Sequence, residues 1–218
     1  MCFSPGADVV VGGIVVAVGV DALRHVREPK QILLASLPLL FGLHQIDEAF
    51  VWWGLQGHVS ESLARVSIWV YVLFALAALP VLVPAAVFAV EPSAGRRRVI
   101  AGFAALGIAV GLSLGIAIFR GSVDALIDGR HIAYNVSALS QGREFTALYV
   151  VAACGALMAC SSRDLAALGM LNLVAVPVLM WMTVNGFISL WCFWAAIVSV
   201  VIDVHLGRSG ARSLVPVT

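Results

Sequence analysis

The chain has 218 residues, of which 61% are hydrophobic and only 11% charged, and its formal net charge is +1. A mean hydropathy of +1.02 lies outside the range of water-soluble domains, and so even a charge balance carries no signature of a nucleic-acid partner. In hydrocarbon every backbone polar group must be paired within its own structure, which leaves helices or closed barrels. Long apolar runs without two-residue alternation then select an all-α polytopic membrane protein, with the lipid bilayer as its partner.

A span needs about 20 apolar residues, and seven runs qualify along one transmembrane domain covering residues 1–218. They are 7–23, 32–55, 66–90, 99–119, 145–161, 165–185 and 187–206. The first run follows Met1-Cys2-Phe3-Ser4, which has no basic leader, so it is expected to stay in the mature protein. Pro80, Pro84 and Pro177 predict bends in the third and sixth spans. Gly107, Gly111 and Gly115 make a small-residue stripe in the fourth span, read as an internal helix seam. Only Asn185-Gly186 separates the last two runs, which predicts a tight antiparallel hairpin. The spans do not divide into two similar halves, which argues against an inverted-repeat transporter.

Orientation follows from the basic residues, because cytoplasmic loops keep an excess of Lys and Arg. One set of loops carries Arg24, Arg27, Lys30, Arg96, Arg97, Arg98, Arg163, Arg208 and Arg212, nine of the thirteen; the other carries Arg65, Arg120, Arg130 and Arg143. The N-terminus is therefore expected outside and the C-terminus in the cytoplasm. The longest loop, 120–144, falls on the outer side, where loops of this length serve as lids or caps. Within it, Arg130-His131-Ile132-Ala133-Tyr134-Asn135-Val136 alternates and reads either as a small β-ribbon over the helix ends or as a plain surface loop.

The second span holds the most informative stretch, His44-Gln45-Ile46-Asp47-Glu48-Ala49-Phe50-Val51-Trp52-Trp53. Polar and ionisable groups this dense are costly in a membrane helix and face the bundle interior or a water-filled cavity. Helical spacing puts His44, Glu48 and Trp52 on one face, with Gln45 beside Glu48. Glu48 falls roughly 10 Å below the outer interface. Cys2, His58, His131, Tyr134, Ser189, Trp191 and Cys192 are expected on the same side, lining a cavity that opens outward. Asp21, Asp203 and His205 lie near the opposite ends of their spans, where snorkelling removes most of their cost, and carry no expected role.

Each residue has a plainer reading. Trp52, Trp53, Trp69, Trp191 and Trp194 fit an interfacial aromatic belt, from which only Trp52 and Trp191 are singled out as ligand-lining candidates. His44 has the alternative of a helix–helix hydrogen bond. Cys154 and Cys160 read as small apolar residues. Cys2, if exposed by removal of Met1, offers an amine and a thiol to one metal ion; the alternatives are a free thiol or a disulfide with Cys192.

Met-Cys-Phe-Ser at the start, His44-Gln45, Glu48-Ala49 and Val51-Trp52, His131-Ile132-Ala133-Tyr134, and Ser189-Leu190-Trp191-Cys192 together resemble an uncharacterised family of bacterial, largely actinobacterial, membrane proteins. The resemblance runs the length of the chain and implies a location in the bacterial inner membrane, without implying an activity. Retinal binding is excluded, since the single lysine, Lys30, is in a loop and not in the seventh span. The zinc hydrolases of the alkaline ceramidase kind need a late pair of histidines, and only His205 stands there.

Two function classes follow. In the first, Cys2, His44, Glu48 and His131 hold a metal ion, for which thiolate, carboxylate and imidazole suit zinc or copper. Glu48 is then the catalytic candidate, and Gln45, Trp52, Tyr134 and Trp191 line the ligand site. In the alternative, a transporter or small-molecule sensor uses Glu48 to bind a proton or solute.

Overall fold

The computed structural model describes residues 4–129, 131–137, 143–182 and 187–212, with the side chains at 143, 180–182, 187–193 and 209–212 outside the description. Helix α1 (Pro5–Arg24) starts where Ser4 caps it, the Ala7 N–H donating to Ser4 Oγ at 3.3 Å. A Pro at the first helical position costs no hydrogen bond there. A single 3₁₀ turn (Pro29–Gln31) leads into α2 (Ile32–Leu55), and Gln31 Oε1 accepts from the N–H groups of Arg27 and Glu28.

The third apolar run is a single rod in three parts: α3 (Glu61–Leu73), a π-helical segment (Phe74–Ala78) and α4 (Leu79–Val90). It begins five residues before the apolar run because Ser60 caps it, accepting from the Leu63 N–H at 3.3 Å. The π segment lies just ahead of Pro80, which has no N–H to give and whose ring crowds the preceding turn, and widening the helix there relieves both. Helix α5 (Ala94–Arg120) packs on this irregularity. A Cβ at Gly107 would collide with the Pro80 carbonyl oxygen, and one at Gly111 would lie 2.5 Å from that of Ala77. The glycine stripe is thus an internal seam, although Gly115 meets only Ala77 Cβ at 3.7 Å.

Strands β1 (Val123–Asp128) and β2 (His131–Val136) form an antiparallel hairpin in register Asp128↔His131 to Val123↔Val136. The alternating stretch is therefore a ribbon and not a plain loop. Gly129 turns it with φ +61°, a left-handed conformation that favours glycine. Helices α6 (Arg143–Ala159), α7 (Arg163–Met182) and α8 (Phe187–Arg212) complete the chain. The Asn185-Gly186 turn lies outside the described residues.

Among the described residues, four rods are long and apolar enough to cross a bilayer: Pro5–Arg24, Pro29–Leu55, Glu61–Val90 and Ala94–Arg120. A shorter apolar helix covers Glu144–Ala159. The largest core cluster joins α1, α2, α4, α5, α6, α7 and α8 through residues such as Leu34, Leu37, Ile100, Leu157, Leu165 and Ile202. Exposed apolar side chains such as Leu112, Ile116 and Phe119 stud the outer face of α5, as expected where lipid rather than water is the neighbour.

Candidate functional site

Helices α1 and α2 are antiparallel and nearly in backbone contact. A Cβ at Gly12 would lie 2.7 Å from Ile46 Cγ1 and 2.9 Å from the Gly42 carbonyl oxygen, and one at Gly19 would collide with the Leu39 backbone. Seven residues forward on α1 thus match seven back on α2. Carried one turn the other way, this register puts Asp8 level with Phe50, about 3 Å along the axis from Glu48. Asp8 and Glu48 are both 0% exposed, and Gln45 is 1% exposed. Two carboxylates therefore lie at one depth on neighbouring helices. Asp8 was not legible as a site residue, because an acid in the first turn of a helix is ordinary and only the interhelical register reveals its burial.

The same end of α2 carries an aromatic column. The buried His44 ring stacks on Tyr71 of α3, with centroids 4.0 Å apart and planes 17° from parallel, and is flanked by Phe74 at 4.6 Å. Tyr71, wholly buried, stacks its other face on Tyr134 of β2 at 4.5 Å and 12°. Strand alternation puts Ile132 and Val136 on the face that carries Tyr134. Ile132 packs with Val51 and Trp52, and Val136 with Val72 and Ile118. The hairpin is thus a cover fastened across the ends of α2, α3 and α5. Beside it, Ser67 of α3 hydrogen-bonds the Asp47 carboxylate.

His44, Gln45, Glu48, Trp52 and Tyr134 therefore collect in one region. His131 sits at the hairpin turn, its Nε2 3.6 Å from Asp128 Oδ2, on the strand face opposite Ile132 and Tyr134. His44, Glu48 and His131 do not converge as a three-donor group: among the described residues such a group forms only from Asp21, His25 and Asp203. Cys2 lies outside the described residues, as does the side chain of Trp191, whose backbone is in α8. Helix α8 also packs against β2.

At the opposite end of the bundle the ionisable residues are engaged. Asp21, Asp203 and His205, expected to snorkel and given no role, are paired: His25 Nδ1 lies 3.3 Å from Asp203 Oδ1 and 3.9 Å from Asp21 Oδ2, and His205 Nδ1 lies 3.0 Å from Asp164 Oδ2. Glu91, just past α4, is 2% exposed and accepts from the Ser93 N–H at 2.9 Å, and from the Ser161 N–H and hydroxyl, each at 2.6 Å. Burial alone would raise its pKa, but these hydrogen bonds outweigh burial and hold it below its ordinary value. Arg96 adds a bond to the Cys160 carbonyl at 3.0 Å, so the α4–α5 and α6–α7 turns are clasped together.

Comparison with known proteins finds one family, a family of unknown function (DUF6629), matched over residues 1–215. No curated protein and no solved structure matches the chain.

Proposed function

The chain belongs to this family of unknown function, covering residues 1–215, and we propose that it is a seven-span protein of the bacterial cytoplasmic membrane whose buried acidic cluster under the hairpin holds a cation. The N-terminus and hairpin face outward and the C-terminus faces the cytoplasm, a reading supported by the nine-to-four basic asymmetry. The observation that carries the proposal is the complete burial of Asp8 and Glu48 at one depth on two helices in near-backbone contact. A carboxylate buried in a low-dielectric interior is held by a cation or carries a proton.

The first reading is a transition metal ion such as zinc or copper, with Glu48 as the central carboxylate and His44 and Gln45 close by on α2. Cys2 is at most about 7 Å of extended chain from the Ser4 cap and is the natural thiolate donor. An ion with a position open to water would make that water acidic enough for hydrolysis, with Glu48 placed to take the proton. The second reading is proton- or solute-coupled transport or sensing. It is favoured by the continuous stack from His44 through Tyr71 to Tyr134, which links the cover to the buried face.

Elemental analysis of detergent-purified protein separates the readings. About one metal equivalent per chain more in wild type than in Glu48→Gln and Asp8→Asn, while membrane insertion persists, supports the first. A wild type with no Glu48-dependent metal that takes up a proton or solute in a Glu48-dependent way supports the second. Neither property responding to Glu48→Gln overturns both.

A further inference from the structure

We infer that Asp21, His25 and Asp203, at the end of the bundle away from the hairpin, bind a divalent first-row transition-metal ion that ties α1 to α8. This site is separate from the Glu48 cluster. Asp21 and His25 are four residues apart near the end of α1, hence on one face, and Asp203 reaches them from α8, 178 positions later in the chain than His25. His25 Nδ1 is 3.3 Å from Asp203 Oδ1 and 3.9 Å from Asp21 Oδ2, and all three donor atoms lie within 4.8 Å of one another.

Donors around an ion at about 2.1 Å stand roughly 3–3.5 Å apart, so the 3.3 Å contact already fits and the wider separations, up to 4.8 Å, close by side-chain rotation. One imidazole with two carboxylates is a borderline donor set, suited to zinc, cobalt, nickel or manganese more than to calcium or copper(I). Arg24 is no obstacle, because its Nη1 approaches the other Asp21 oxygen, Oδ1, at 3.9 Å. Residue 207, one turn beyond Asp203, does not crowd the ring: a Cβ there would sit 3.7 Å from His25, at ordinary contact distance. The side chains are 51%, 37% and 20% exposed for Asp21, His25 and Asp203, open enough to load from solution and to leave positions for water. The i,i+4 pairing of Asp21 with His25 and the long-range contact of Asp203 bring both carboxylates to the same nitrogen, Nδ1.

The test uses the full-length chain in detergent or nanodiscs, titrated with Co²⁺ and read by its visible d–d absorption. Wild type should show a Co²⁺ absorption displaceable by Zn²⁺, and Glu48→Gln should retain one equivalent of it, which separates this site from the first. His25→Ala and the near-isosteric Asp203→Asn should each weaken it about tenfold or more. In thermal melts Zn²⁺ should raise the Tm of Glu48→Gln and leave the double variant Glu48→Gln with Asp203→Asn unchanged. Absence of the absorption in wild type, or a titration identical in Asp203→Asn, overturns the site.

Discussion

The Tyr149 hydroxyl donates to the Ala75 carbonyl at 3.2 Å, joining α6 to the π segment. The Leu79 N–H bonds back five residues to the Phe74 carbonyl, so it is spent. The next N–H that a π turn would offer Ala75 belongs to Pro80, which has none. Tyr149 thus supplies from another helix the donor that Pro80 removes. Tyr149→Phe should lower unfolding stability in detergent by about 1–2 kcal/mol through the unsatisfied carbonyl. An unchanged midpoint would mean that the π segment finds its partner elsewhere.

Glu91 makes stability depend on acid. Its folded-state pKa lies below the ordinary 4.5, so its contribution is fully present above that value and is lost as pH falls through the depressed one. Wild type should lose stability below about pH 4.5 more steeply than Glu91→Gln. At neutral pH the variant should be weaker by about 1.5–3 kcal/mol, as for hydrogen bonds to a charged group. Parallel stability curves for the two proteins would deny Glu91 this role.

Helix positions were largely legible, because an apolar run long enough to span is written in consecutive residues: the second run, 32–55, coincides with α2 (Ile32–Leu55). The early start of α3 was not, since a hydropathy window sees Val66 onward but not the Ser60 cap. His44, Gln45 and Glu48 stood out because each is costly in a membrane helix. Tyr71 and Asp8 did not: a tyrosine and a first-turn aspartate are unremarkable until the stacking with Tyr134 and the α1–α2 register are known. The His25–Asp203 pair joins residues 178 apart, a contact that no local pattern encodes. His131 was readable as a candidate, but the strand register that turns it toward Asp128 was not.

The glycine seam gives a paired comparison on α5. Gly107→Ala drives a methyl group into the Pro80 carbonyl and should cost about 1–3 kcal/mol or prevent folding. Gly102→Ala, on the same helix with nothing within 4 Å of its new Cβ, should leave expression and melting unchanged. Equal behaviour of the two variants would show that α4 and α5 do not approach as closely as Pro80 and Gly107 require.

Topology is the premise on which the outward site rests, and the hairpin supplies a labelling position. Asp124 is exposed on β1, whereas its neighbour Ala125 turns toward the helices and packs near Trp52 and Ile132, so Asp124→Cys reports accessibility without disturbing the cover. The nine-to-four distribution of basic residues predicts that this thiol, in a background without the native cysteines, reacts with a membrane-impermeant maleimide in intact cells. A phosphatase reporter joined after Thr218, which is active only outside, should stay silent, while a fluorescent protein at the same place should glow. Seven spans require these two results together, because an odd number of crossings puts the hairpin and the C-terminus on opposite sides. Labelling of Asp124→Cys only after lysis would invert the map and place the Asp8–Glu48 cluster toward the cytoplasm. Both positions on one side would mean an even number of crossings between them.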